Sequence, residues 1–508
     1  MTRMTDITLD ATPPHPRSRS LMDRDYLWQL TIAALLLGSA CRLFAGIQTP
    51  LWLDETFSAE IASQHNVHDF LRWSLTEMSG PVYYAALFLW EKLAGNGNVA
   101  LRLPSLALSL ATPLIILRYG HHDVKVRQLW AAFTALSVFG FDTATEARPY
   151  ALILMLGCIQ ALIFLKMIEA PRTRTALAWT SVSALMVLTH YHAAILCGLQ
   201  GIAYLALCRM RAVRTWSAAA PLVPMAIWMA YHLPFLFRFA SKDTTWYQPL
   251  HADALWLIPA LLTGLIWPGV MVLTARTATT ARDIGATTLG RKSWPFSSGE
   301  TALFATGALA VALVMAAGFL APTFSPRYLL PFVPALLAGM AIWTRRMIRQ
   351  FPLAGAVLLC IMLGSAASQL AGYIRHPEED HRYVLNFEQP SQWIAAQGAD
   401  RLIFLWDNPT ASLPDPDHHL ASVASFFLRR DHVPVETIVP PWPRHGDPNL
   451  LLNAVAGQRA RTAILWAYDI NVPGTRGRTH PWRLPQIDAR WRCRVFGKGS
   501  ITVLACVR

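Results

Sequence analysis

The chain alternates long apolar runs with short polar segments up to about residue 372. A helix that crosses a bilayer needs roughly 20 predominantly apolar residues, and about eleven runs reach or approach this length. They cover 27–47, 101–118, 128–144, 149–168, 175–191, 193–208, 216–236, 254–274, 301–320, 328–344 and 353–372. The pattern therefore predicts a polytopic α-helical membrane domain over residues 26–375.

The segment between the first two spans, 48–100, follows a different pattern. Residues 57–78 mix apolar and polar positions at helical spacing, which predicts a helix lying on the membrane surface. Residues 81–93 are apolar but short for a span, so we predict a re-entrant or interfacial helix there. We therefore treat 48–100 as one loop that contains interfacial helices.

Basic residues indicate which side each loop faces. With these spans, alternate loops share one side of the membrane, and every loop on one side is basic. Those loops carry Lys125 and Arg127, Arg172 and Arg174, Arg209, Arg211 and Arg214, Arg276, Arg282, Arg291 and Lys292, and Arg345, Arg346 and Arg349. Basic loops stay in the cytoplasm, so the chain is predicted to begin inside and to end outside. The loop 48–100 is then external.

The two ends of the chain lack a spanning run. Residues 1–25 are polar and proline-rich, which predicts a disordered cytoplasmic tail. Residues 376–508 alternate strand-like runs with helix candidates, which predicts a small α/β domain on the outer, periplasmic face. The predicted strands are 401–407, 462–469 and 501–507, and the predicted helices are 392–397 and 420–428. The run 415–419 has metal-ligating side chain types, but we interpret it as a solvated loop.

Composition agrees with a membrane protein. Of the 508 residues, 54% are hydrophobic and 15% are charged, whereas soluble domains carry about 25% charge. The net charge of +13 does not indicate nucleic-acid binding, because the basic residues fall in short clusters between apolar runs. The seven cysteines show no metal-site spacing. Cys493 and Cys506 can pair if their domain lies in an oxidising compartment.

The predicted topology brings most of the remaining ionisable groups to the outer face. Asp54 and Glu55 follow the first span, and Arg102 begins the second. The other outer-face groups are Glu146, Arg148 and Tyr150, His190 and His192, Arg327 and Tyr328, and, in the loop 237–253, Arg238, Lys242, Asp243, Trp246, Tyr247 and His251. Ionisable groups at membrane depth are costly and usually face a cavity or a partner. Together they favour an outward-facing polar site.

Each of these residues also has an ordinary structural explanation. Asp54 and Glu55 can form a solvated turn, Glu146 and Arg148 can pair at a helix end, and Arg327 can extend to the interface. A transporter or flippase of lipid-linked sugars is the main alternative function, but it predicts internal repeats and polar groups at the midplane, which the sequence does not show. A membrane-anchored assembly factor leaves the shared outer face unexplained.

The polar residues limit the chemistry. Acidic residues near an outward opening can deprotonate a hydroxyl or bind a divalent cation. Arginines bind phosphate in a two-pronged geometry, and phosphate is the group by which a lipid-linked donor is held at the interface. No Gly-rich nucleotide fingerprint occurs.

Six motifs in order carry a family resemblance: LWLDE, GPVYYAALFLWEKLAG, ALRLPSLAL, TEARPYALIL, LTHYHA and SPRYLLPFVPAL. Over about 27–372 the chain resembles bacterial family 39 glycosyltransferases, which are related to protein O-mannosyltransferases and to the aminoarabinose transferases of lipid A. Gly80 stands where the family has a proline, and Ser79 replaces the preceding polar residue. Contacts that the family makes at these two positions are therefore not carried over to this chain.

The resemblance implies a GT-C membrane fold and sugar transfer from a polyprenyl-phosphate donor, with inversion, at the outer face of the bacterial inner membrane. The acceptor would be a hydroxyl or phosphate on a lipid, glycan or protein. Asp54 matches the family's catalytic acidic residue, with Glu55 beside it. Residues implied to line or support the donor site are Arg102, Glu146, Arg148, Tyr150, His190, His192, Arg327 and Tyr328. The resemblance leaves open a divalent cation with Asp54 as a ligand.

Overall fold

A computed structural model describes ten stretches of the chain. They are 26–240, 297–320, 324–348, 354–377, 381–383, 386–406, 416–439, 456–469, 489–497 and 501–508. Four predicted features lie outside these stretches. They are the tail 1–25, the loop 237–253 beyond residue 240, the span 254–274 and the loop that carries Arg276, Arg282, Arg291 and Lys292.

Helices cover most of each predicted span within the described residues, although the predicted span 128–144 is broken after Leu136 and the predicted spans 216–236 and 328–344 begin as 3-10 helix. These helices are α1 Tyr26–Phe44, α5 Asn98–Tyr119, α6 Val124–Leu136, α7 Phe139–Asp142, α8 Tyr150–Glu169, α9 Thr173–Thr189, α10 Ala193–Cys208, α11 Met210–Val213, α12 Leu222–Ala240, α13 Ser298–Leu320, α14 Val333–Ile348 and α15 Ala354–Arg375. Among the described residues, seven helical segments are long and apolar enough to cross a membrane. The prediction of a multi-pass membrane protein is confirmed.

The outer loop forms three helices, α2 Leu53–Ala62, α3 Val67–Ser74 and α4 Pro81–Ala94. The predicted single surface helix over 57–78 is wrong, because the chain breaks after α2 and Asn66 caps α3 by accepting a hydrogen bond from the Asp69 amide at 2.9 Å. Asp54 and Glu55 lie in the first turn of α2, not in a turn before it. Negative side chains are favourable there, since a helix N-terminus carries partial positive charge.

The C-terminal domain contains a five-stranded sheet with strand order β2-β1-β3-β5-β4. The strands are β1 Arg401–Trp406, β2 Glu436–Ile438, β3 Thr462–Asp469, β4 Arg492–Phe496 and β5 Ile501–Val507. β1 pairs in parallel with β2 and β3, while β5 pairs antiparallel with β3 and β4. Among the described residues of this domain, the α-helices are α16 Glu388–Ala396 and α17 Pro416–Arg430. The predicted α/β class is confirmed, although the sequence did not predict β2 and β4.

Two further features of this domain bear on the sequence predictions. Within the predicted solvated loop 415–419, the described residues 416–419 are helical, because α17 begins at Pro416, and His419 is buried. Cys493 and Cys506 face each other on β4 and β5 and form a disulfide. The remaining cysteines are free.

The hydrophobic core has two parts. One part joins the spanning helices to each other. The other combines the outer loop with the C-terminal domain, so that Leu53 and Tyr84 share a core with Phe427 and Leu465. A β-bridge from Trp52 to Asn386 adds to this contact. Helix α2 therefore lies where the outer loop, the membrane helices and the C-terminal domain meet.

Ion pairs mark the end of the membrane domain opposite α2. Arg345 donates to Asp123 at 2.8 Å, and Arg346 pairs with Glu300 at 2.5 Å. These contacts join the loop between α5 and α6 to the start of α13 and the end of α14. Loops that the sequence assigned to one side of the membrane therefore lie together.

Candidate active site

The carboxylate of Asp54 lies between two arginines that come from different parts of the chain. Arg327, in the 3-10 helix Pro326–Phe332, forms an ion pair with Asp54 Oδ2. The Nη2 atom of Arg148 lies 3.9 Å from the same oxygen. The Asp54 side chain is 22% exposed and that of Arg327 31% exposed. The pair is thus accessible to a molecule arriving from outside the protein.

Arg148 is held from several sides. Its Nη1 donates to the Asp54 carbonyl at 3.1 Å and to Ser58 Oγ at 3.3 Å. It also contacts Glu77 Oε1 at 3.1 Å, and the hydroxyl of Tyr84 donates to the other oxygen of Glu77 at 3.1 Å. The sequence does not distinguish Glu77 from the other acids of the outer loop. Nothing in the spacing of the sequence predicts this contact, because it joins the turn between α3 and α4 to the segment just before α8.

Glu55 lies on the opposite, buried side of α2. Arg102 donates to both of its oxygens, from Nε at 2.8 Å and from Nη2 at 2.5 Å, and both side chains are fully buried. The Ala147 amide donates to Glu55 at 2.8 Å. Burial alone would raise the pKa of Glu55, but the charge and hydrogen bonds of Arg102 hold the pKa below its usual value. Full burial does not fit the predicted catalytic role of Glu55 or the predicted donor contact of Arg102, so we assign both to support of the site.

Two buried arginines fix the turn that precedes α2. Arg102 donates to the Thr49 carbonyl at 2.7 Å and to the Pro50 carbonyl at 2.9 Å. Arg382, from the linker after the last span, donates to the Ala45 carbonyl at 2.6 Å and to the Gly46 carbonyl at 3.0 Å. Arg382 lies in a polar linker, and no local sequence signal predicts its role. Together the arginines satisfy carbonyls that have no helical partner.

Histidine and tyrosine rings form a wall beside Arg327. His192 stacks on Tyr328 with ring centroids 4.2 Å apart, and His190 lies 5.3 Å from His192 and 6.4 Å from Tyr150. His190 is 4% exposed, and its Nδ1 has no hydrogen-bond partner within the described residues. The wall therefore holds a buried imidazole nitrogen that is open to a hydrogen bond.

Glu146 is buried and lies between the 3-10 helix Thr143–Thr145 and Ala147. Its role at the donor site stays a prediction. The loop candidates Lys242, Asp243, Trp246, Tyr247 and His251 lie outside the described residues, as does the side chain of Arg238. The stretches that the structure describes contain no group of three or more His, Cys, Asp or Glu side chains suited to a metal ion. The Oδ2 atom of Asp54 already lies beside Arg148 and Arg327. A carboxylate next to two positive charges does not fit a divalent cation, so we derive no step through a metal ion.

No protein-family model matches the chain, and no curated protein matches it. Among solved structures, the chain is similar to ArnT from Cupriavidus metallidurans in the apo state, with a TM-score of 0.55, 12% identity and coverage of 94% of this chain and 97% of ArnT. The chain has a GT-C fold. The crystal structure of the same ArnT bound to undecaprenyl phosphate gives a TM-score of 0.51 at 13% identity, with the same coverage of 94% and 97%. At this identity the likeness shows the fold and not the activity.

Proposed function

We propose that the protein is a membrane glycosyltransferase that moves a sugar from a polyprenyl-phosphate donor to an acceptor hydroxyl or phosphate. The observation that carries this proposal is the accessible Asp54 carboxylate between Arg148 and Arg327. One acid and two nearby cations can accept a proton and stabilise the charge of the leaving group in a displacement at a phosphate-linked sugar. The ArnT structure with undecaprenyl phosphate supports a lipid phosphate as the donor's carrier.

In this proposal Arg327 exchanges one anionic partner for another. Without donor it pairs with Asp54, and with donor it binds the phosphate, which is a stronger partner for a guanidinium in a two-pronged geometry. The exchange frees Asp54 to accept the proton of the acceptor. Arg148 stays in place because Glu77 and Ser58 hold it. Tyr150, His190, His192 and Tyr328 line the donor side.

The proposed reaction is one inverting displacement. The acceptor oxygen transfers its proton to Asp54 and attacks the anomeric carbon of the sugar. The bond from that carbon to the phosphate oxygen breaks, and its electron pair leaves with the polyprenyl phosphate. The arginines stabilise the charge that develops on this leaving group. Glu55 acts as a positioning residue, because its hydrogen bonds hold α2 against Arg102 and the Ala147 amide.

We further propose that the site faces the periplasm of a bacterial inner membrane. The division would be a cytoplasmic tail over 1–25, a catalytic membrane domain over 26–375 and a periplasmic α/β domain over 376–508. The disulfide between Cys493 and Cys506 supports this side for the C-terminal domain, because disulfides persist in oxidising compartments.

Asp54→Asn tests the proposed function. The amide keeps the size of the side chain but cannot take the acceptor's proton, so transfer should fall by at least about 100-fold. The measurement is transfer of labelled sugar from a panel of polyprenyl-phosphate sugars to envelope extracts from a deletion strain, using purified full-length protein in lipid vesicles.

Asp400→Asn is the matched control. Asp400 is a half-exposed acid of the C-terminal domain that contacts none of the residues of the Asp54 site named above, and this variant should transfer sugar at the wild-type rate. Wild-type activity in Asp54→Asn would contradict the role of Asp54. Absence of transfer by the wild type with movement of the donor between leaflets would favour the flippase alternative.

A further inference from the structure

A cleft of about 740 Å³ lies between the outer loop and the C-terminal domain. One wall comes from α2, α3 and the turn between them, and the other comes from α17. The residues assigned above to the Asp54 site do not line it. Its function is therefore not explained by donor binding.

The lining of the cleft is unusually polar for a ligand site. It combines amide, imidazole, guanidinium and carboxylate groups with aromatic rings, as in Gln64, Asn96, His418 and Trp73. Small-molecule pockets are mostly apolar with few polar groups. Each hydroxyl of a sugar both donates and accepts hydrogen bonds, so a dense mixture of donors and acceptors fits a polyhydroxylated ligand.

Two of the three arginines that line the cleft are neutralised by carboxylates, and the third, Arg72, is accompanied in the lining by Asp69. Arg429 pairs with Glu60 at 2.6 Å, and Arg430 pairs with Glu388 at 2.7 Å. Ser422 also donates to Glu60 at 2.6 Å. These ion pairs offer hydrogen-bonding groups without a strong excess of positive charge. The cleft therefore favours a sugar over inorganic phosphate.

Glu60 connects the cleft to the Asp54 site because both residues belong to α2. They are six residues apart, which is about 9 Å along the helix axis and about 240° around it. The cleft thus opens on a different side of α2 from the Asp54 carboxylate. A ligand in the cleft can contribute a reacting group at Asp54 only if it extends around the helix.

We propose that the cleft binds the carbohydrate part of the acceptor, at a sugar unit beyond the one that reacts. This inference rests on the proposed function and narrows it, because the acceptor is then a glycan or glycolipid. A protein hydroxyl without attached sugars would leave the cleft unused.

The first test is direct binding of saccharides to purified full-length protein. Saturation-transfer NMR with chitobiose, lactose, gentiobiose and digalacturonate should detect binding of at least one of them to the wild type. Asn96→Trp, which places a large ring in the cleft, and His418→Ala should each weaken that binding by about tenfold. His68→Ala is the control, because His68 is exposed on α3 and does not line the cleft. All variants are first checked for wild-type thermal unfolding.

Three results would overturn the inference. They are failure of every saccharide to bind the wild type, unchanged binding in both cleft variants, and displacement of the bound saccharide by inorganic phosphate at equal concentration. The last result would indicate an anion site.

A transfer assay separates this inference from the proposed function. In the assay described above, the cleft variants should raise the KM for the acceptor about tenfold and retain the wild-type kcat. Asp54→Asn should bind saccharide normally and transfer nothing. If the wild type transfers sugar and the cleft variants keep its KM, the cleft inference fails and the function stands. If saccharides bind the cleft but the wild type transfers nothing, the function fails.

Discussion

Two adjacent carboxylates in α2 have different environments. Successive residues of a helix point about 100° apart, so Asp54 extends toward Arg327 while Glu55 extends toward Arg102. The Asp54 side chain is 22% exposed and the Glu55 side chain is fully buried. Only Asp54 is placed to contact a substrate. The contribution of Glu55 must come through the position it gives to its neighbour.

Glu55→Gln should destabilise the protein by about 3–5 kcal/mol, because it leaves the charge of Arg102 buried without its partner. Unfolding by heat of the purified protein in detergent measures this. The control is Glu436→Gln, since Glu436 and its partner Arg459, 3.7 Å away, are both 63% exposed. An exposed ion pair contributes about 0–1 kcal/mol. Equal shifts of Tm in the two variants would contradict the supporting role of Glu55.

The effect of Glu55 should also depend on pH. Its pKa is lower in the folded protein than the value of about 4.3 in an unfolded chain. The ionised group therefore contributes stability that is present above pH 4.3 and is lost as pH falls through the folded pKa. The difference in Tm between wild type and Glu55→Gln should shrink as pH decreases below about 4. A difference that stays constant down to pH 2 would show that charge is not the cause.

At the scale of elements, the contact between α4 and α9 depends on one glycine. Gly80 precedes α4, and a Cβ added there would lie 1.9 Å from the Leu188 carbonyl oxygen and 2.3 Å from its carbon. Both atoms belong to backbone, which cannot move aside as a side chain can. The family that this chain resembles has a proline at this position, and its side chain would meet the same atoms. In this chain the glycine therefore goes together with a close approach of the two helices.

Gly80→Ala should lower the Tm and separate α4 from α9, because the clash forces the backbone to move. Gly198→Ala is the matched control, since it lies inside α10 with open space around its Cβ. Alanine there should be neutral or stabilising by about 0.5–1 kcal/mol. Thermal unfolding and sugar transfer are measured for both. Equal stability of the two variants would show that the α4–α9 contact is looser than the structure shows.

The sequence predicted the helices of the membrane domain well but not the start of α2. Apolar length and loop charge are local properties, and they located the spans. Residue Trp52 occupies the N-cap of α2, whereas Ser, Thr, Asp or Asn usually mark this position. Without such a signal, the sequence pattern predicts only that Asp54 and Glu55 lie in the loop after the first span. The second half of a capping box is present, because Glu55, three residues after Trp52, accepts a hydrogen bond from the Trp52 amide at 3.4 Å.

The site was predictable only in part for a similar reason. Topology placed Asp54, Arg148 and Arg327 on one face, and the structure brings these three together. Topology does not distinguish the exposed from the buried residues of that face. For this reason it groups Glu55 and Arg102 with Asp54, Arg148 and Arg327. Contacts of Glu77 and Arg382 join segments far apart in sequence. Such contacts follow from packing, which no local pattern specifies.

At the scale of the whole molecule, opposite ends of the membrane domain carry different ion pairs. Asp54 and Arg327 mark one end, while Asp123 and Arg345 mark the other. The outer loop and the C-terminal domain share a core at the first end. If the basic loops are cytoplasmic, the whole of this second core is periplasmic.

Single cysteines introduced at the two ends test that orientation. Cys41, Cys158, Cys197, Cys208 and Cys360 are replaced by alanine, and the disulfide-bonded Cys493 and Cys506 are kept. An impermeant maleimide added to intact spheroplasts should label Asp69→Cys, in the outer loop, and should label Lys125→Cys only after the membrane is opened. Cys493 and Cys506 should stay unlabelled until a reductant is added, because an oxidising compartment keeps them paired. Labelling of Lys125→Cys in intact spheroplasts would show that the topology is inverted and that the Asp54 site lies in the cytoplasm.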